Sequence, residues 1–184
     1  ILKRRNIQKN ILCSFWNIFN KILMPFSDHG IVNAISGGTD SRLFIEAMGL
    51  YPYRHLGKFI NCIVNHHTRK LGNFESYFLL RRSHHFGIDT VISNLRRKDV
   101  FMSNEKLLRV KRFNSFTKIL QKIKFKSLVI LHTKSDNIES FLMFILGYSG
   151  SSWGSYMPII RQIKNKFILR PFMYFNKFQI SSAL

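Results

Sequence analysis

The sequence predicts an α/β fold: a doubly wound parallel sheet in a single domain, led by an N-terminal helix. Three observations predict it. From Ile31 onward, short apolar runs alternate with longer amphipathic stretches, the form that βαβ units and a parallel sheet take in sequence. A chain of 184 residues suits one domain and is long enough for a sheet covered by helices on both faces. A Ser-Gly-Gly segment directly follows the first apolar run and opens a helical one, which is where α/β sheets place their ligands.

Residues 1–27 carry no acidic residue and several basic ones, a composition shared with transit peptides. Ile7, Ile11, Phe15, Ile18 and Ile22 nevertheless recur at helical spacing, so the segment is read as an amphipathic helix and residues 28–184 as the domain proper. Strands are expected near Ile31–Ile35, Phe59–Val64, Thr90–Ser93, Leu128–Leu131 and Phe167–Leu169. Helices are expected between them, near Arg42–Leu50, Phe74–Phe86, Asn104–Lys124 and Asn137–Leu146. In the last helix, Ile138, Phe141, Leu142 and Ile145 lie at i, i+3, i+4 and i+7, which predicts a stripe packed on the sheet. Ser135 and Asp136 then stand at the helix start, beside a strand's carboxyl end. The basic segment Leu95–Asp99 reads as a solvated connection, and Gly147 to Pro158, rich in Gly and Ser, as a flexible loop. No internal repeat or low-complexity tract interrupts this order.

Charge narrows the partners. Against 9 Asp+Glu stand 29 Lys+Arg, a formal net charge of +20, and the pI is near 10.5. Such a field attracts phosphate backbones, which makes RNA the leading partner. Codons rich in A and T also raise Lys, Asn, Ile and Phe, and the 18 Phe show that bias. It points to an organelle, with the plastid stroma expected and the mitochondrial matrix or a reduced bacterium's cytoplasm as alternatives. The two cysteines, Cys13 and Cys62, are far apart and form no C-x-x-C pair, so neither a disulfide framework nor a zinc or iron–sulfur site is encoded. The longest apolar stretch, Phe141 to Tyr148, is far short of the about 20 residues that span a bilayer, and no membrane partner is expected. The chain opens on Ile1 rather than a methionine, so either the start codon is unusual or the N-terminus is incomplete.

The strongest chemical feature is Ser36-Gly37-Gly38-Thr39-Asp40-Ser41. Paired glycines let a backbone turn sharply and approach a ligand, and the helix N-terminus behind them offers unpaired N–H groups to phosphate oxygens. The segment lacks the lysine of G-x-x-x-x-G-K-[ST], so it differs from the phosphate loop of kinases and GTPases. Asp40 is placed to hold Mg²⁺, which binds through one or two carboxylates together with phosphate oxygens. Glu105, Arg109 and Arg112 lie at i, i+4 and i+7, so they share a helix face, and spacing alone favours a surface ion pair there. The pairs His66-His67 and His84-His85 read as structural or RNA-contact histidines, because adjacent residues do not face the same way and no acid or cysteine stands at ligand spacing. Trp16, Trp153 and Tyr156 are aromatics able to stack on bases, although core or rim positions are commoner.

The Ser36–Ser41 segment resembles that of the ATP-pyrophosphatase (PP-loop) family, whose members cleave ATP between the α- and β-phosphates and adenylate a substrate. Ile63-Val64-Asn65-His66-His67-Thr68-Arg69 is similar to the H-V-N-H-G-L-R stretch of tRNA(Ile)-lysidine synthetases, with His66 and Arg69 on matching positions. Glu105 to Phe113 resembles E-A-x-A-R-x-x-R-Y, keeping Glu105, Arg109 and Arg112. Leu131 to Leu142, with His132 in the first histidine place, resembles A-H-H-x-D-D-Q-x-E-T-x-L, and Arg170-Pro171 the late R-P-L. The four blocks keep the family's order from about Asp28 onward. Thr133 stands where the second histidine would, and Ser135 where the first of two aspartates would, leaving Asp136, Asn137, Glu139 and Ser140 in place. The chain ends soon after the R-P block, where the family continues into further tRNA-binding regions.

The resemblance implies that residues 28–184 are an ATP-binding catalytic domain of a carbon–nitrogen ligase. ATP and Mg²⁺ are the implied cofactors, with Asp40 and Asp136 toward the metal. The implied partners are an isoleucine tRNA with a CAU anticodon and free lysine. In the implied reaction the wobble cytidine is adenylated at its C2 oxygen and the lysine amine then displaces AMP. Asp136 or Glu139 would take the amine's proton, and Arg109, Arg112 or Arg170 would hold the adenylate phosphate.

Overall fold

The computed structural model describes residues 2–65, 72–94, 105–145 and 157–183, leaving aside the side chains of residues 2–9, 105, 106, 108, 109 and 143–145. In chain order come α1 (Leu2–Ile22), β1 (Ile31–Ile35), α2 (Thr39–Gly49), β2 (Phe59–Asn65), α3 (Gly72–His85) and β3 (Asp89–Asn94). There follow α4 (Glu105–Lys122), β4 (Ser127–Ile130), α5 (Lys134–Ile145), β5 (Ile160–Ile163), β6 (Lys166–Leu169) and α6 (Lys177–Ser182). Short 3-10 turns occupy Met24–His29, Arg54–Leu56 and Pro171–Tyr174.

The strands form one six-stranded sheet in the order β3-β2-β1-β4-β6-β5. All neighbours are parallel except β5, which returns antiparallel on β6. β1 is buried along its whole length and β2 nearly so, which is why both read in sequence as continuous apolar runs. Alternate residues face opposite sides. Ile31 and Ile35 of β1, Ile63 of β2 and Val129 of β4 join α1, α2 and α3 in the larger core cluster. Val32, Ala34, Cys62, Val64 and Leu128 form the second, closed by Phe116 and Leu120 of α4. Helices therefore cover both faces, as a doubly wound sheet requires.

The leading segment is a helix, and it belongs to the core. Phe15 and Phe19, one turn apart, are fully buried. The Phe15 ring lies 5.0 Å from that of Phe172 and 4.1 Å from that of Phe175, and Phe19 lies 5.4 Å from Phe44. Burying each such ring contributes roughly 1.5–3 kcal/mol, so this helix stabilises the sheet it precedes. Within the larger core runs a polar line: Asn33 donates to Asn61 Oδ1 at 2.9 Å, and Asn61 donates to Ser83 Oγ at 3.0 Å, tying β1, β2 and α3 together.

Two expectations are corrected. The antiparallel strand β5 and the short helix α6 were not anticipated, so the sheet has one strand more than the sequence pattern foretold. The apolar stripe of α5 does not pack on the sheet: Ile138, Phe141 and Leu142 are exposed. The sheet near β4 is already covered, by α4 on one side and by α1 and the Pro171–Tyr174 turn on the other. Helix α5 docks instead through its first turn, where the Lys134 N–H donates to the Phe175 carbonyl at 2.9 Å. The connection at Leu95–Asp99 lies outside the described residues, as does most of the Gly147–Pro158 loop with Trp153 and Tyr156.

Candidate active site

The first half of the site is the turn from β1 into α2. Gly37 has φ +65°, the left-handed region that glycine enters without strain. A side-chain carbon at Gly37 would also meet Glu75 Oε2 at 3.1 Å, so the first turn of α3 borders the loop. Gly38 caps α2 in extended conformation, with no side chain bonding back to the helix. The space beside it is open, and a side-chain carbon there would meet nothing within 4 Å. The first N–H groups of α2 thus face a gap wide enough for an anion to approach the backbone. Ser41 braces this shape from below. Its buried hydroxyl accepts the Ser36 N–H at 2.8 Å and lies 3.3 Å from Ser36 Oγ.

The second half follows β4. Because β1 pairs with β2 on one side and β4 on the other, its carboxyl end is the point where the chain's connections diverge, and open α/β sheets bind ligands in that crevice. Leu131, His132 and Thr133 lead from β4 into α5. Thr133 and Asp136 cap each other: the Thr133 N–H and Oγ1 donate to Asp136 Oδ2 at 2.8 and 2.7 Å, and the Asp136 N–H returns to Thr133 Oγ1 at 3.3 Å. The cap is therefore Thr133, and Ser135 is free of that duty; its hydroxyl accepts the Lys177 N–H at 3.3 Å. Asp136 Oδ1 receives the Lys177 ammonium at 2.9 Å, and Glu139 lies 3.8 Å from the same nitrogen.

Electrostatics join the halves. Burial, and secondarily the charge of Asp136, push the Asp40 carboxyl above its ordinary value, against the pull of Lys177 and a hydrogen bond from Thr39. Burial acts on Asp136 in the same direction, but the Thr133 N–H, the Lys177 ammonium and the Thr133 hydroxyl outweigh it and hold that carboxyl below its ordinary value. The two acids thus interact across the crevice between the β1 and β4 ends, beside the Ser36–Ser41 turn. Two carboxylates suit Mg²⁺, which takes few protein ligands and completes its shell with phosphate and water.

The structure thus puts Asp40 of the Ser36–Ser41 turn in electrostatic contact with Asp136, and gathers Asp136 and Glu139 on Lys177. His132 sits half-buried beside them in the β4–α5 connection. Arg170 is turned inward: only 7% exposed, it donates from Nη1 to the Pro158 carbonyl at 2.7 Å. Arg112 is half-buried on α4, which covers the sheet face opposite α2. His66 and Arg69 lie outside the described residues, as do the side chains of Glu105 and Arg109. Lys177 and Glu75 were not anticipated. The Asn176-x-x-Gln179 capping box could have announced α6, but no local signal says that Lys177 reaches Asp136.

A PP-loop domain model matches residues 11–184. The chain belongs to the PP-loop family. It is 28% identical over 162 residues to the bifunctional protein TilS/HprT of Listeria innocua, covering 84% of this chain and 24% of that protein. It is 27% identical over 169 residues to a tRNA(Ile)-lysidine synthase of Streptococcus pyogenes, covering 90% of this chain and 39% of that one. The resemblance read from the ordered motif blocks is borne out, and the chain spans between about a quarter and two fifths of these relatives' length. Among solved structures, the U34-tRNA thiolase NcsA of Methanococcus maripaludis with its 4Fe-4S cluster shares the fold at TM-score 0.77 and 14% identity, over 98% of this chain and 63% of that one. An NH3-dependent NAD synthetase of Campylobacter jejuni matches at TM-score 0.55 and 14% identity, over 98% and 71%. In this chain Cys62 is buried in the sheet, its thiol pushed up to about 12 by burial.

Proposed function

We propose that this PP-loop domain adenylates the wobble cytidine of an isoleucine tRNA with a CAU anticodon and joins lysine to its C2. The observation that carries this reading is the electrostatic interaction of Asp40, in the Ser36–Ser41 cradle after β1, with the Asp136–Lys177 pair after β4. In the first step the cytidine C2 oxygen forms a bond to the α-phosphorus of ATP. The bond from that phosphorus to the bridging oxygen breaks, and pyrophosphate leaves with the electron pair. The N-terminus of α2 offers N–H groups where negative charge builds on the leaving group. Asp40 and Asp136 would hold Mg²⁺, which supplies charge neutralisation at the phosphates.

In the second step the lysine nitrogen bonds to C2, the C2–O bond breaks and AMP departs. The amine starts protonated, since its ordinary pKa is about 10.4, and must lose a proton to attack. Asp136 and Glu139, which share the Lys177 ammonium, are the carboxylates at hand to take that proton. The test is ATP–pyrophosphate exchange with purified protein and either tRNA(Ile) bearing CAU or one bearing GAU. Exchange with the first and background with the second supports the reading; no exchange with either, from folded protein, rejects it.

A further inference from the structure

Helix α3 is built inside out. Its buried line is Ser76, Leu79 and Ser83, while its three aromatics point to solvent: Phe74 is 69% exposed, Tyr77 58% and Phe78 42%. Codon bias can enrich a chain in Phe, but it does not choose the outer face of a helix. These residues lie at i, i+3 and i+4, so they form one surface, and Arg81 extends it by a turn. The exposed Arg42 of α2 places its guanidinium 5.4 Å from the Phe78 ring centre, joining this surface to the helix that rises from the phosphate loop. Glu75, on the same first turn, borders Gly37.

We propose that this face of α3 is the platform on which unpaired bases of the RNA stack while one neighbour reaches the α-phosphate of ATP held at the cradle. Flat rings offer every base a π-face, guanidinium groups draw the phosphates between them, and the net charge of +20 complements a polyanion. A second copy of this chain, equally basic, is repelled where RNA is attracted. The proposal rests on the reading that the site acts on an RNA base, and it names the surface that presents that base.

The test uses fluorescence anisotropy on the whole chain with a stem-loop RNA carrying a seven-base loop and with a fully paired duplex of equal charge. Stacking is worth about 1–3 kcal/mol per base, or roughly 5–150-fold in affinity. Phe74→Ala and Tyr77→Ala should each weaken stem-loop binding within that range, leave the duplex unchanged, and leave ATP binding unchanged. Tyr77→Trp should restore stem-loop binding. Equal losses on both RNAs, or none on either, overturn the proposal. So does conversion of a dimer to a monomer in sedimentation without any change in RNA affinity, which would assign the face to a second copy. Exchange activity is read separately: a wild type without exchange whose variants still lose loop binding refutes the ligase reading alone, and active variants with normal loop binding refute the platform alone.

Discussion

Gly37 and Gly38 are neighbours with different duties, and substitution separates them. Alanine at Gly37 must adopt φ +65° against Glu75, which costs about 1–2 kcal/mol. At this chain length that lowers Tm by about 2–8 °C, readable in a thermal melt. Alanine at Gly38 enters ordinary extended backbone and open space, so Tm should hold while ATP affinity falls, measured by calorimetric titration. Unchanged ATP affinity in Gly38→Ala would mean that no ligand uses the gap. Asp40→Asn should lower ATP–pyrophosphate exchange by about 100-fold or more at normal stability, because it removes a charge beside the phosphates. Asp136 gives a pH signature. Its folded pKa is depressed, so its contribution to stability is present above the ordinary carboxylate pKa of about 4 and is lost as pH falls through the folded value. Urea titrations at pH 7 and pH 3 should show Asp136→Asn destabilised at the first and less so at the second; a gap independent of pH would contradict the assigned charge. The gap itself is small, since Lys177 is exposed and such pairs contribute about 0–1 kcal/mol.

At the level of elements, the Asn33–Asn61–Ser83 line ties three of them inside apolar surroundings. Asn61→Ala leaves two buried groups without a partner and should cost about 1–3 kcal/mol by denaturant titration. A smaller loss would mean that water replaces the amide. This line also shows how far sequence reading reaches. Strands β1, β2, β4 and β6 were legible because burial on one or both faces leaves an apolar run. The edge strand β5, largely exposed, leaves no such run, and α6 is too short for a helical period to show. The α5 stripe was legible as a stripe, yet periodicity reports which residues share a face and not whether anything covers it. The cradle was readable because its chemistry is contiguous. Lys177 beside Asp136 was not, since their meeting depends on the chain's path through β5, β6 and the Pro171–Tyr174 turn. The outward face of α3 was equally hidden, because its aromatics are spaced as a core stripe would be.

For the whole molecule, the charge of +20 predicts RNA binding that depends steeply on salt. If about 6–10 phosphates are neutralised, affinity should fall roughly 10³–10⁵-fold between 50 and 200 mM salt. A flat response in filter binding would leave the charge without an RNA role. Binding affinities for different tRNAs should differ only modestly, because phosphate contacts position RNA without reading its sequence, and the contrast between CAU and GAU is expected in exchange. The strand order carries one more consequence, and it concerns the ribosome. The first strand to emerge, β1, is also flanked on both sides in the finished sheet. Its β2 side can close once β2 is out, but its other side waits for β4, which begins about ninety residues after β1 ends. At a synthesis rate of about 5–20 residues per second, that leaves an open seam for roughly 5–18 seconds on every nascent chain. Slowed translation across the α4 codons would lengthen that wait, and chaperone capture of the half-built sheet should rise in proportion.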